Sequence, residues 1–384
     1  MDFDLTDEQS LLKDSVSRWA SDRYAALERV EAARRQPLGF DPEAWAELAE
    51  LGLLGLPFAE GDGGFGGGPV ETMLAFEALG RHLAPVPYLA GIVLGGGALR
   101  LAGSPAQRAE HVPALAEGRH RFAFAHGERQ ARYDRADVAL AARREGGGYR
   151  LDGEKCVVLN ADAAQTLVVS ARTAGGRRER EGISLFLVPA DAPGVSVRAY
   201  PTHDGGRAAD LLLAGVRLPA DALLGPADAA LPVIERVLDE GIAAVAAEAV
   251  GLMDALHGLT LDYLKTRRQF GTAIGAFQVL QHRAVDMLMA LEQARSMALY
   301  ATMMASSEDA AERGPAVSAA KVQINRSARS IGQEAVQLHG GIGMTLEYLG
   351  AHQFRRLTAI EHLFGDTPYH LRRVSAAGGL PGAA

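Results

Sequence analysis

The spacing of apolar residues changes twice along this 384-residue chain, and that double change constrains the fold more than any other feature. Roughly residues 1 to 118 and 227 to 384 carry apolar side chains at helical spacing, whereas about 119 to 226 consists of short apolar runs between turn residues. The order predicts an α+β fold that is mostly α. An N-terminal helical domain (1–118) precedes a middle antiparallel β domain (119–226) and a C-terminal domain like a four-helix bundle (227–384).

Within the first block, Leu11, Leu12, Val16 and Trp19 share a helical face, with Thr6 as N-cap and Asp7 and Glu8 where the helix dipole favours anions. A second helix through Ala44, Trp45, Leu48 and Leu51 stops at Gly52. The glycine-rich Gly61–Gly68 stretch reads either as a flexible surface loop or as one whose backbone approaches another surface closely. A further helix spans Val70 to Leu83. In the middle block, Tyr149–Lys155 reads as a strand followed by an Asp152-Gly153 hairpin turn. Thr166–Ser170 and Ile183–Val188 are expected strands, and Val195, Val197, Val216 and Leu218 continue them. In the third block, Leu252, Ala255, Leu256, Leu259 and Tyr263 lie on one helical face, and Ala316–Gln337 forms a helix of several turns. The Ala376–Ala384 tail is expected to fray.

Composition excludes several classes. A net charge of −8 argues against a nucleic-acid binder, though not against a phosphorylated ligand with a local positive site. No long uninterrupted apolar run appears, so no membrane span is expected. The acidic start, Met1-Asp2-Phe3-Asp4, lacks the form of a secretory leader, and the single Cys156 forms no internal disulfide, so the expected location is the cytoplasm. No metal site is expected.

The segments that carry chemistry stand at helix ends: Arg267-Arg268-Gln269-Phe270-Gly271 with Gln278, and Gln337-Leu338-His339-Gly340-Gly341-Ile342-Gly343. A guanidinium offers planar, charge-assisted hydrogen bonds to phosphate oxygens, and consecutive glycines let backbone amides approach a ligand. With Phe3–Gln9, Leu51–Leu56, Gly63–Gly66, Ser184–Val188, Pro193-Gly194-Val195 and Leu261-Asp262-Tyr263, these segments resemble the acyl-CoA dehydrogenase superfamily nearly end to end.

The resemblance implies FAD as cofactor and α,β-dehydrogenation of an acyl-CoA thioester, in which a carboxylate takes the α-proton while the β-hydrogen passes to the flavin. It implies a homo- or heterotetramer with a homologous chain, and an electron-transferring flavoprotein as acceptor. Carried over residue by residue, Arg267 is expected on the FAD pyrophosphate, Gln269 and Phe270 against the cofactor, and Gln278 on the adenosine edge. Gln337, Gly340 and Gly341 are expected to reach the FAD of the neighbouring subunit. A surface or core-packing role is the alternative for Phe270 and Gln278, and a helix C-cap is compatible with the glycines. His339 is expected only to pack.

Three departures stand out. Phe122–Arg129 replaces the Thr-Glu-Pro-type strand beside the flavin ring, and Val157 and Leu159 stand where a Trp and a Thr usually meet it. The usual base position falls on Phe364, and the alternative base position falls on Gly241. Neither takes a proton, and no residue is assigned as the base. Glu240 and Asp366 lie nearby and are expected to be structural, while the Phe364 backbone N–H remains available to a thioester carbonyl. The expected function is thus an acyl-CoA dehydrogenase-type subunit whose homologous partner supplies the base. The alternatives are a self-sufficient enzyme with a relocated carboxylate, a flavoprotein of other chemistry such as an oxidase, and a structural subunit.

Overall fold

The computed structural model describes residues 4–379, so Met1–Phe3 of the acidic start and most of the tail expected to fray lie outside the described residues. The chain forms two compact units, one of residues up to Ala32, Pro69–Ala84 and Ile242 onward, the other of Ala33–Gly68 and Pro85–Gly241.

Helices come first: α1 (Asp7–Tyr24), α2 (Leu27–Arg34), α3 (Pro42–Glu50), α4 (Pro69–Arg81), α5 (Gly97–Ala102) and α6 (Pro105–Ala116). Thr6 caps α1 as its side chain predicts: Oγ1 accepts from Gln9 N–H at 3.2 Å, and the Thr6 N–H donates to the Gln9 side-chain carbonyl at 3.1 Å. Helix α3 ends one residue short of Leu51 because Gly52 turns left-handed, with φ 75°. The glycine loop is not a flexible strand of surface chain. A Cβ on Gly64 would lie 2.2 Å from the Phe58 carbonyl oxygen, and one on Gly67 would lie 2.9 Å from Leu56, so the segment folds tightly onto its own approach. Sequence periodicity missed a π-helical turn, Leu89–Gly96, that runs directly into α5.

Among the described residues the main sheet holds eight strands: β1 (Phe122–Ala125), β2 (Ala141–Glu145), β3 (Gly148–Leu159), β4 (Thr166–Arg172), β5 (Ile183–Pro189), β6 (Val195–Pro201), β7 (Arg207–Leu218) and β8 (Leu223–Leu224). Their order is β6-β7-β3-β2-β4-β5-β8, with β1 parallel to β4. Pairing between these strands is mostly antiparallel, the parallel contacts being β1–β4 and a single β2–β4 pair. Leu151, Val169, Phe186, Val188 and Leu211 fill the core of this layer.

The expected hairpin turn at Asp152-Gly153 is absent; β3 runs straight through it, and the turn sits earlier, at Gly146-Gly147, with φ 59° and 86°. Two features explain the misreading. Asp152 is used to accept the Gly215 N–H at 2.8 Å beside a register shift, and Gly153 is needed because a Cβ there would lie 2.7 Å from Leu140. A second irregularity between Lys155 and Val158 throws Val157 outward at φ 53°.

The third block holds α7 (Leu231–Thr266), the short strands β9 (Arg268–Gln269) and β10 (Thr272–Ala273), then α8 (Gln278–Ala305), α9 (Ala310–His339), α10 (Leu349–His362) and α11 (Thr367–Ala376). Helix α7 is long and apolar enough to cross a membrane, yet 72% of its apolar window is buried inside the protein, so it serves as a core helix. Glycines let it approach α4: a Cβ on Gly251 would lie 2.0 Å from the Glu77 carbonyl oxygen, and one on Gly80 would lie 2.3 Å from that of Glu248. Helix α8 buries Ala284, Met287, Leu291, Ala294 and Ala298 against α9 but leaves Val285, Leu288 and Met289 bare on its other side.

Candidate functional site

Helix α7 runs out at Thr266, and the chain turns back on itself within a few residues. Gln269 pairs with Thr272 and Arg268 with Ala273, leaving Phe270 (φ 52°) and Gly271 (φ 82°) as a two-residue turn with both central residues at positive φ, the pattern of a type I′ hairpin. Arg267 N–H closes onto the Tyr263 carbonyl at 2.8 Å, and its own carbonyl accepts from Ile274 at 2.8 Å, so its backbone is fixed from both sides. Its guanidinium is exposed and has no acidic partner among the described residues, unlike the ion-paired arginines Arg283, Arg295 and Arg356 of the same unit.

Phe270 is 91% exposed, which rules out the core-aromatic reading, and meets Phe277 edge-on at 6.1 Å. Gln269 turns its amide onto the Arg268 carbonyl at 2.8 Å, and Gln278 opens α8 on the surface directly after Phe277.

At the other segment, Gln337 is exposed on the last turn of α9, and Gly340 ends the helix at φ 63° with its N–H on the Gln337 and Val336 carbonyls. A Cβ on Gly340, Gly341 or Gly271 would meet nothing within 4 Å, so these glycines leave open backbone. The two segments are neighbours within one chain: the Tyr263 ring, one turn before Arg267, packs on His339, one residue before Gly340, with centroids 4.6 Å apart. A cation without an acidic partner, exposed amide side chains and unobstructed glycine backbone therefore stand at two adjoining helix ends. That donor set, a guanidinium and open glycine backbone, fits a dinucleotide diphosphate.

The region that the resemblance assigns to a flavin ring has fewer groups to offer. Val157 is exposed, and its N–H goes to Asp210 Oδ1 at 3.3 Å. The same carboxylate takes Arg129 at 2.8 Å, Arg198 at 2.6 Å and Tyr200 at 2.9 Å. Behind this surface lies a buried pair that the sequence reading did not single out. Lys155 Nζ donates to Glu128 Oε1 at 2.6 Å, Ser170 Oγ at 2.9 Å and the His126 carbonyl at 3.3 Å. The signal was present: Lys155 falls on the inward side of β3 with Tyr149 and Leu151, where a charge requires a partner. Burial and the Lys155 charge hold the neighbouring His126 at about 3, hence neutral.

The two carboxylates near the positions that the resemblance gives to the base both have partners in this chain. Glu240 meets Arg100 at 2.6 Å and Arg236 at 3.3 Å. Asp366 caps α11, accepting the Tyr369 N–H at 2.9 Å. Phe364 stands on the α10–α11 turn at φ 62°, and its N–H has no acceptor among the described residues. Just beneath this turn, Lys321 is buried, with Nζ on the Ile360 carbonyl at 2.6 Å, the Glu361 carbonyl at 3.3 Å and Asn325 Oδ1 at 2.8 Å.

Comparison with known proteins agrees with this geometry. The acyl-CoA dehydrogenase N-terminal, middle and C-terminal domain families match residues 6–119, 123–214 and 231–379. The probable acyl-CoA dehydrogenase YngJ of Bacillus subtilis is 33% identical over 354 residues, covering 91% of this chain and 92% of that one. Among solved structures, a variant of the Tcur3481-Tcur3483 steroid ACAD is 31% identical with a TM-score of 0.86, covering 96% of this chain and 97% of that one. The ChsE4-ChsE5 complex from Mycobacterium tuberculosis is 28% identical with a TM-score of 0.86, covering 98% of each. The chain belongs to the acyl-CoA dehydrogenase family and is an FAD-dependent oxidoreductase of that type.

Proposed function

We propose that this chain is one subunit of a heteromeric acyl-CoA dehydrogenase, present in the cytoplasm, whose homologous partner supplies the catalytic base. The observation that carries the reading is the α10–α11 turn. By the resemblance Phe364 falls at the usual base position, while Glu240 is held by two arginines and Asp366 caps a helix. A carboxylate clamped by two guanidinium groups is held in place by them, and one used as an N-cap is fixed in direction. Both therefore have structural work in this chain, which supports a base supplied from elsewhere.

The chain's own residues bind and orient. Arg267 supplies the charge for the diphosphate, Phe270 and Phe277 present apolar rings, and Gln269, Gln278, Gln337 and the Gly340–Gly341 backbone supply neutral contacts to the rest of the dinucleotide. Bound FAD supplies the hydride acceptor. The N–H of Phe364, without an acceptor among the described residues, would donate to a thioester carbonyl and so stabilise charge as the α-proton leaves.

The bare side of α8, with Val285, Leu288 and Met289, supports assembly with another chain, because monomers seldom leave such a row in water. The Tcur3481-Tcur3483 and ChsE4-ChsE5 structures, each named for two proteins, favour a non-identical partner. An electron-transferring flavoprotein is the proposed acceptor.

The test is a visible spectrum of the chain purified alone and again after co-expression with a homologous chain encoded beside it. Flavin colour that appears with the partner, and bleaches on adding an acyl-CoA thioester, is the expected result. Flavin bound and bleached by the isolated chain overturns the partner reading.

A further inference from the structure

Among the described residues, His339 is the buried ring that touches both halves of the proposed dinucleotide site. Its imidazole lies between two tyrosines, with Tyr263 of α7 at 4.6 Å and Tyr348, just before α10, at 4.7 Å between centroids. Nδ1 lies 2.8 Å from the Ala335 carbonyl, which only accepts, so Nδ1 carries the proton. Nε2 is then left with its lone pair, and the Tyr348 hydroxyl, in hydrogen-bond contact, donates to it. One ring thus joins the last turn of α7, the last residue of α9 and the start of α10, and it does so as the neutral tautomer.

Burial lowers the His339 pKa, while the carbonyls of Ala335 and Leu259 pull against that shift. Tyr348 is itself pushed up to about 12 by burial and by Tyr263, so it remains a donor over the working pH range. The groups facing the imidazole are therefore Tyr263 and the Leu259 carbonyl from α7, the Ala335 carbonyl from its own helix, and Tyr348.

Resting on the diphosphate site proposed above, we propose that His339 is the positioning residue of that site. Its ring fixes Tyr263, and through it Arg267, at a set distance from the Gly340–Gly341 backbone, so that a guanidinium and a glycine turn from opposite ends of the sequence address one anion. Removing the ring nitrogens leaves every proposed FAD contact in place but lets the two helix ends move apart.

The experiment measures FAD affinity by flavin fluorescence in the co-expressed complex, from pH 5 to pH 8, for wild type, His339→Phe, Tyr348→Phe and Arg267→Ala. His339→Phe keeps a planar ring on Tyr263 but loses two hydrogen bonds, and the expected weakening is about tenfold. Wild-type affinity falls on the acid side of the lowered imidazole pKa, and so further into acid than the ordinary histidine value of 6.5. Protonation puts a charge between the two tyrosines and takes away the acceptor for the Tyr348 hydroxyl. In His339→Phe that acid-side fall disappears, which a loss of general stability does not produce. Tyr348→Phe, which keeps all rings, shows an intermediate loss and serves if His339→Phe does not fold.

If Arg267→Ala loses FAD while both His339→Phe and Tyr348→Phe bind as wild type, the positioning role is overturned and the site stands. Retention of FAD by Arg267→Ala overturns the site itself.

Discussion

The Lys155–Glu128 pair offers the sharpest test of how the middle sheet is held together. Lys155 is 0% exposed and Glu128 3%, and no solvent replaces a missing partner there. Breaking a buried pair by removing one member costs about 3–5 kcal/mol. The two single variants should differ within that range. In Lys155→Met the carboxylate keeps the Ala139 N–H at 2.8 Å, the Leu140 N–H at 3.2 Å and the Gln130 amide at 2.6 Å. The expected cost is therefore near the lower limit, about 3 kcal/mol. In Glu128→Gln the ammonium loses its counter-charge and is left with neutral acceptors, Ser170, the His126 carbonyl and the new amide oxygen, and the loss should be larger, about 4 kcal/mol.

Because each single change strands a charge and the double change strands none, Glu128→Gln with Lys155→Met should cost less than the sum by about 2 kcal/mol. Urea unfolding of the four proteins at pH 7 measures the cycle. Burial alone would raise the Glu128 pKa, but Lys155 and the N–H donors from Ala139 and Gln130 hold it below 4.5. Its contribution is thus complete above the unfolded value and lost as pH falls through the folded one, so wild type and Glu128→Gln should converge in acid. Strict additivity of the two single changes, or a cost below about 1 kcal/mol for either, would refute the reasoning.

Further outcomes follow from other contacts. Gly251→Ala gains about 1 kcal/mol of helix propensity, but its Cβ would lie 2.0 Å from the Glu77 carbonyl, so a net loss of about 2 kcal/mol is expected in thermal or urea unfolding. Burial pushes Lys321 down to about 7, with Glu361 and Asp366 opposing, so between that value and 10.5 the unfolded chain binds the extra proton and stability rises with pH. Lys321→Met should abolish that component of the rise, read as the difference between wild-type and variant urea midpoints at about pH 6.5 and about pH 9, either side of the folded value. Glu240→Gln should lower stability through its Arg100 and Arg236 contacts while leaving turnover of the complex unchanged; slowed turnover at equal flavin content would restore Glu240 as a base candidate.

The helix–sheet–helix order was legible because period and turn chemistry are local properties, and so was the N-cap at Thr6. The Arg267 segment and the glycine pair after His339 were legible as motifs, though their meeting through Tyr263 was not, since contact between residues so far apart depends on how α7 and α9 pack. Asp152-Gly153 misled because the same dipeptide serves a tight turn and a β-irregularity, and only the strand opposite decides between them. The apolar face of α8 was invisible for a different reason. Its two sides are both rich in apolar residues, and spacing alone does not say which side meets the rest of its own chain.

That uncovered row on α8 also bears on how tightly the flavin is kept. It lies on the same surface helix as Gln278, so on the proposed reading whatever settles on Val285, Leu288 and Met289 joins the helix that carries part of the dinucleotide site. Pigment content then obeys mass action. On the proposed reading, a dilute preparation should lose its yellow colour on a gel-filtration column as the complex comes apart, and a concentrated one should keep it.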